Sequence, residues 1–144
     1  MLRFLSILAV ATAFAATAQA EHPVPFDVKL LAVDANEGCD VADFDGDGKL
    51  DIVAGRNWYR NGEWIPRAVR IIEDNNGYVR SNGEWAYDVN GDGRPDVVSM
   101  DFTSPEVYWF ENPGGEKLVQ GYLWPKHLLA DTGWANNCLL YTSD

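Results

Sequence analysis

The chain has 144 residues, with 22 acidic against 11 basic side chains, a net charge of −11, and 47% hydrophobic content. That length suits one small domain or part of a larger one, and six each of Trp, Tyr and Phe imply a packed interior rather than disorder. No basic patch exists to displace counterions from phosphates, so nucleic acid is excluded as a partner.

The N-terminus reads as an export signal. Arg3 supplies the positive flank, Phe4 to Ala18 is apolar, and Ala18-Gln19-Ala20 has the small-x-small form that signal peptidase cuts. The run is about 15 residues, short of the roughly 20 that span a bilayer, and Ser6, Thr12 and Thr17 dilute it. Residues 1–20 are therefore expected to be removed. The mature chain would start at Glu21 without a membrane span and work as a secreted, periplasmic or cell-surface protein.

A short apolar segment, Val28 to Asp34, comes next and parallels Ile71-Ile72-Glu73-Asp74 and Leu128-Leu129-Ala130-Asp131 further on. An internal repeat then dominates. The stretch Asp43-Phe44-Asp45-Gly46-Asp47-Gly48-Lys49-Leu50-Asp51 matches Asp88-Val89-Asn90-Gly91-Asp92-Gly93-Arg94-Pro95-Asp96 position by position, offset by 45. Each copy leads into a short apolar run, Ile52-Val53-Ala54 and Val97-Val98-Ser99-Met100, then into an aromatic strand. The aromatic strands are Trp58-Tyr59-Arg60-Asn61 and Tyr108-Trp109-Phe110-Glu111-Asn112. Asn61-Gly62 and Pro113-Gly114-Gly115 read as hairpin connections. The units close on Val69-Arg70-Ile71-Ile72 and His127-Leu128-Leu129-Ala130. Nothing after the signal has a helical period, so the chain is expected to be all-β.

A period of about 40–50 residues with roughly four short strands suits β-propeller blades of four-stranded antiparallel sheets. The chain holds the tail of one unit, two nearly whole units and the start of another. About two to three blades make an incomplete ring with apolar faces uncovered. This is expected for a partial propeller over residues 21–137. The last seven residues, Cys138-Leu139-Leu140-Tyr141-Thr142-Ser143-Asp144, resemble the translation of a transposon-derived sequencing adapter. Residues 138–144 are thus expected to be read-through, which would leave Cys39 without an intrachain partner.

The two acidic loops carry the chemistry. Calcium takes six to eight oxygens, and carboxylates clustered on a tight loop supply them. The first loop offers the side chains of Asp43, Asp45, Asp47 and Asp51 with the Lys49 carbonyl; the second offers Asp88, Asn90, Asp92 and Asp96 with the Arg94 carbonyl. Gly48 and Gly93 fall at the bend, where a positive φ carries no Cβ clash. An EF-hand is excluded, because its twelfth-position Glu is replaced by Ala54 and Ser99 and the flanks read as strands. Without a cation, four crowded carboxylate oxygens would repel one another.

These loops, each followed by an apolar and then an aromatic strand, resemble FG-GAP/VCBS repeats. Such repeats build the calcium-loop propellers of integrin α-subunit heads and of many exported bacterial proteins. The resemblance implies a seven-bladed ring, structural Ca²⁺ on blade loops, and a protein or carbohydrate ligand bound on one face. It also allows a second function, since some polysaccharide lyases resemble the same propeller and carry bases within the ring. Arg56, Arg80, Lys126 and His127 are scattered candidates for that role but form no diagnostic grouping. Trp58, Trp64, Trp85, Trp109 and Trp124 fit a core better than a sugar platform. A non-catalytic, calcium-rigidified binding module is the preferred expectation.

Overall fold

Four short strands flank and follow the first acidic loop. Strand β1 (Cys39–Ala42) enters it and β2 (Asp51–Ala54) leaves it; β3 (Asn57–Tyr59) and β4 (Pro66–Ala68) continue the meander. Each strand is antiparallel to the one before. A small hairpin follows, β5 (Asp74–Asn75) and β6 (Tyr78–Val79), turned by Asn76 and Gly77 with φ of +53° and +86°. Those two residue types tolerate that conformation best. The second acidic loop then joins β7 (Gly83–Tyr87) to β8 (Asp96–Met100). Strand β9 (Glu106–Phe110), helix α1 (Gly115–Val119) and β10 (Lys126–Asp131) complete a second four-stranded antiparallel sheet in the order β10-β9-β8-β7. Among the described residues the fold is all-β apart from this one helical turn. The computed structural model describes residues 25–135. The expected signal at 1–20 and the expected read-through at 138–144 lie outside the described residues.

Three local expectations are corrected. The Pro113-Gly114-Gly115 connection is not a simple hairpin turn: it runs into α1, whose Leu118 is 1% exposed and fills space between the sheets. Gly121, at φ +74°, ends that turn. The apolar run Val69 to Ile72 forms no strand. The Arg56 carbonyl takes both the Val69 and Arg70 N–H groups, at 2.8 and 3.3 Å, which bends the chain out of the sheet and leaves Ile71 exposed. The segment from Val28 to Asp34 is likewise irregular.

The core lies between the two sheets. Phe44, Val53, Trp58 and Val69 from the first unit meet Val97, Phe110, Leu118 and Trp124 from the second. The Phe44 ring sits edge-on to Trp58 at 6.5 Å and to Trp124 at 5.8 Å. Side chains alternate across a strand, so register decides which residues share a face. Val53 pairs with Trp58 on the buried face of the first sheet, and Val97 pairs with Phe110 on that of the second. Under the 45-residue offset, however, Val53 matches Val98 and Ile52 matches Val97. The sheets therefore meet through opposite faces of the repeat, stacked the same way round.

A buried polar cluster also joins them. Arg70 Nη2 bonds Glu84 Oε1 and, at 2.9 Å, Ser81 Oγ, while its Nε bonds the Gly55 carbonyl at 2.9 Å. Burial pulls the Arg70 guanidinium down to about 10, against the opposing pull of Glu84.

Candidate metal centre

Both acidic loops are held by carboxylates that bond back to their own backbone. Asp43 Oδ1 accepts the Gly46 and Asp47 N–H groups at 2.9 and 3.0 Å, and Oδ2 accepts that of Gly48 at 2.9 Å. Asp88 does the same with Gly91, Asp92 and Gly93, at 2.8, 3.0 and 2.8 Å. Asp45 and Asn90 each accept the N–H two residues on, as do Asp47 and Asp92. Short polar side chains favour such local bonds, which is why this composition gives a tight loop. Gly48 and Gly93 have φ of +83° and +85°, and a Cβ there would meet nothing. Backbone conformation, not crowding, selects glycine at both.

The ninth position anchors each loop to its sheet. Asp51 and Asp96 are fully buried. Asp51 accepts the N–H groups of Phe44 at 3.2 Å and Asn61 at 2.7 Å; Asp96 accepts those of Val89 at 3.0 Å and Asn112 at 2.8 Å. Burial raises both carboxyls above the usual carboxylate range against the pull of these N–H groups, and the neighbouring carboxylates Asp45 and Asp47, or Asp92, add to the rise. A bound cation would reverse that last contribution.

The first loop brings Asp43, Asp45 and Asp51 together, one carboxylate oxygen of each lying within 4.8 Å of the others. Asp45 Oδ2 is buried and accepts no hydrogen bond; Arg60 Nε approaches it at 2.5 Å off the hydrogen-bond angle. An ionised carboxylate offers about four lone-pair sites, so oxygens that already accept one N–H can still face a cation. The donor set fits a hard cation.

Asp47 stands outside that group. Its Oδ2 lies 3.7 Å from Lys49 Nζ and 3.5 Å from Arg60 Nη2. In the second loop Asp92 is engaged likewise, by Arg94 Nη2 and by Asn90 Nδ2 at 3.1 Å. Burial would raise the Asp92 carboxyl, but the Arg94 N–H, Asn90 and the Arg94 guanidinium together lower it. Lys49 and Arg94, singled out for their carbonyls, thus also bring N–H groups and charge to the loop. Backbone N–H groups and guanidinium groups face these carboxylates and offset part of the anticipated repulsion among them.

Sequence reasoning missed three participants. Arg60 brings a guanidinium against Asp45 and Asp47 in the first loop. Asn61 and Asn112 sit at the same place after each aromatic pair: the Nδ2 of Asn61 bonds the Leu50 carbonyl at 2.8 Å, and that of Asn112 bonds the matching Pro95 carbonyl at 3.0 Å. Asn112 Nδ2 further bonds the Phe44 carbonyl at 2.9 Å, which ties one loop to the other across the core. The recurrence of Asn three residues beyond Trp58 and Trp109 was the available signal.

The residues considered for catalysis are dispersed. Arg56 pairs with Asp34 and Asp74, Arg80 with Asp101 at 2.8 Å, and His127 with Glu111 at 2.9 Å. Lys126 Nζ lies 3.5 Å over the Tyr108 ring. Arg80, Lys126 and Tyr108 do line one cavity of about 390 Å³, but Glu73, Asp101 and Glu106 line it too. Of the tryptophans, Trp58 and Trp124 are buried, while Trp64, Trp85 and Trp109 are half-buried. Cys39 is exposed and has no disulfide partner among the described residues. No family profile, curated protein or solved structure matches the chain.

Proposed function

We propose that the chain is an exported calcium-binding repeat module built from β-propeller blades, with structural Ca²⁺ and a protein or carbohydrate ligand. The observation that carries this is the convergence of Asp43, Asp45 and Asp51 in a hydrogen-bond frame that the second loop repeats bond for bond. The sequence of residues 1–20, read as an export signal, is in keeping with a place outside the cytoplasm, where free calcium is high enough for weak sites. In this role the ion draws Asp45 toward Asp51, and so links the loop tip to the residue that anchors β2.

A polysaccharide lyase has less behind it. The 390 Å³ cavity offers three cations, Arg70, Arg80 and Lys126, against three carboxylates, which suits a polyanionic sugar poorly. Burial and the Glu106 and Asp131 carboxylates push the Tyr108 phenol up, away from the ionised form a base would need.

Thermal melting in EDTA and in calcium tests the proposal. At free calcium ten times the dissociation constant each site stabilises the fold by about 1.4 kcal/mol. The midpoint is expected to rise, and Asp45→Ala and Asp88→Ala are each expected to remove about half of that rise. An unchanged midpoint, or an equal rise with magnesium, refutes the calcium assignment.

A further inference from the structure

Asparagine followed by glycine is prone to ring closure, and the chain has four such steps: Asn61-Gly62, Asn76-Gly77, Asn82-Gly83 and Asn90-Gly91. In that reaction the glycine main-chain nitrogen attacks the asparagine Cγ, and a glycine has no Cβ to shield the approach. Attack needs an amide side chain that can swing toward the next residue and a glycine N–H that is not tied up. By sequence the four steps are equal; by structure they are not.

Three are restrained. Asn90 Oδ1 accepts the Asp92 N–H at 3.0 Å, its Nδ2 bonds Asp92 at 3.1 Å, and the Gly91 N–H donates to Asp88 at 2.8 Å. The same first-position carboxylates hold the glycines of the Asp-Gly steps, Gly46 and Gly48 on Asp43 and Gly93 on Asp88. Asn61 is fixed through Nδ2 to the Leu50 carbonyl at 2.8 Å and through its N–H to Asp51 at 2.7 Å. Gly83 is buried within β7, paired with Met100. Asn76 differs from all of these. It is exposed at the tip of the β5–β6 hairpin, and neither its side chain nor the Gly77 N–H has a hydrogen-bond partner among the described residues. The strands beside it pair only through Asp74 with Val79 and Asn75 with Tyr78. A ribbon that short opens readily, which lets the tip reach the geometry of attack.

We propose that Asn76 is a self-modification site of the chain, losing its amide by closure onto Gly77. The Gly77 nitrogen gives up its proton and bonds Asn76 Cγ; the Cγ–Nδ2 bond breaks and Nδ2 leaves as ammonia. Water then opens the cyclic imide at either carbonyl. Opening at one carbonyl leaves aspartate in the ordinary main chain. Opening at the other leaves isoaspartate, whose main chain runs through Cβ and is longer by that atom. Both products add a negative charge near Asp74, which pairs with Arg56. Isoaspartate also lengthens the turn and so loosens β6, whose Val79 N–H bonds the Ala35 carbonyl at 3.3 Å and ties down the segment ahead of β1. The inference rests on the hydrogen bonding around these glycines, and neither on the metal nor on the blade reading.

Peptide mapping by mass spectrometry, on the full chain aged in alkaline buffer with EDTA, tests it. Asn76 is expected to gain the mass of an amide-to-acid change at least about tenfold faster than Asn90, because each restraining hydrogen bond slows opening by about fivefold. It is expected to give both aspartate and isoaspartate, and Asn61 and Asn82 are expected to lag with Asn90. In urea all four are expected to react at similar rates. Asn76→Gly, which suits the positive φ of the turn, is expected to keep the fold and abolish the early gain of acid. Equal rates in the folded chain overturn the proposal, as does an earlier change at another asparagine. A ranking that persists in urea, or aspartate without isoaspartate, overturns it too.

Discussion

Position two of the acidic loop is Phe44 in the first unit and Val89 in the second. Phe44 is 1% exposed and packs against Trp58 and Trp124, whereas Val89 is half-buried on an open side. Yet the N–H groups of both bond the ninth-position carboxylate, at 3.2 and 3.0 Å. The loop frame is therefore set by carboxylate-to-backbone bonds inside nine residues and does not depend on what packs beneath it. What differs is how each loop is tied to the rest of the molecule. The first is clamped by the second sheet; the second has no such clamp among the described residues.

The largest expected effect breaks this asymmetry directly. Truncating a fully buried Phe typically costs about 3–5 kcal/mol through lost transfer energy and the cavity left behind. Phe44→Ala is expected to fall in that range, while Val89→Ala, at a partly exposed position, is expected to cost about 1 kcal/mol or less. Urea unfolding in EDTA compares them without a metal contribution. Equal losses would mean that the second loop is packed as tightly as the first.

A middle-sized effect concerns the paired asparagines. Asn112 is fully buried, and its side chain serves the Phe44 and Pro95 carbonyls and the Gly114 N–H. Removing it orphans several buried groups, each worth about 1–3 kcal/mol when left unsatisfied. Asn61 keeps its bond to Leu50 in an exposed setting where water can replace it. Asn112→Ala is expected to cost about 2 kcal/mol and Asn61→Ala under about 1 kcal/mol. The same unfolding experiment reads both.

How far the sequence carried follows from the same contrasts. Strands β2, β3, β8 and β9 and both loop frames were legible because Asp, Asn and Gly act locally, and because Val53 and Trp58 or Val98 and Trp109 alternate with a period of two. The turn α1 was not, since Leu118 becomes helical only by finding a gap between two sheets. The break at Val69 depended on the Arg56 carbonyl, fixed by tertiary position rather than by any local pattern. At the candidate metal site, the nearness of Asp43, Asp45 and Asp51 could be anticipated from spacing. The diversion of Asp47 could not, because Arg60 comes from a neighbouring strand connection thirteen residues on.

Arg60 sharpens the contrast between the loops furthest, though its effect is the smallest. It faces Asp45 and Asp47, and Asp45 is the main reason its guanidinium holds its proton more tightly than usual. The matching residue in the second unit is Glu111, which pairs with His127 instead. A cation entering the first loop must therefore displace a positive charge already in place, whereas one entering the second meets only Arg94 on Asp92. The first loop has the larger carboxylate count, four against three, which by itself favours tighter binding. Arg60→Gln is accordingly expected to tighten calcium at the first loop by up to about fivefold, read by calorimetry in an Asp88→Ala background that silences the second. Glu111→Gln, with Asp45→Ala silencing the first loop, is expected to leave the second unchanged. Weaker binding in Arg60→Gln would mean that the guanidinium positions Asp45 for the ion rather than competing with it, and the two loops would then differ in how they are organised and not in how they are neutralised.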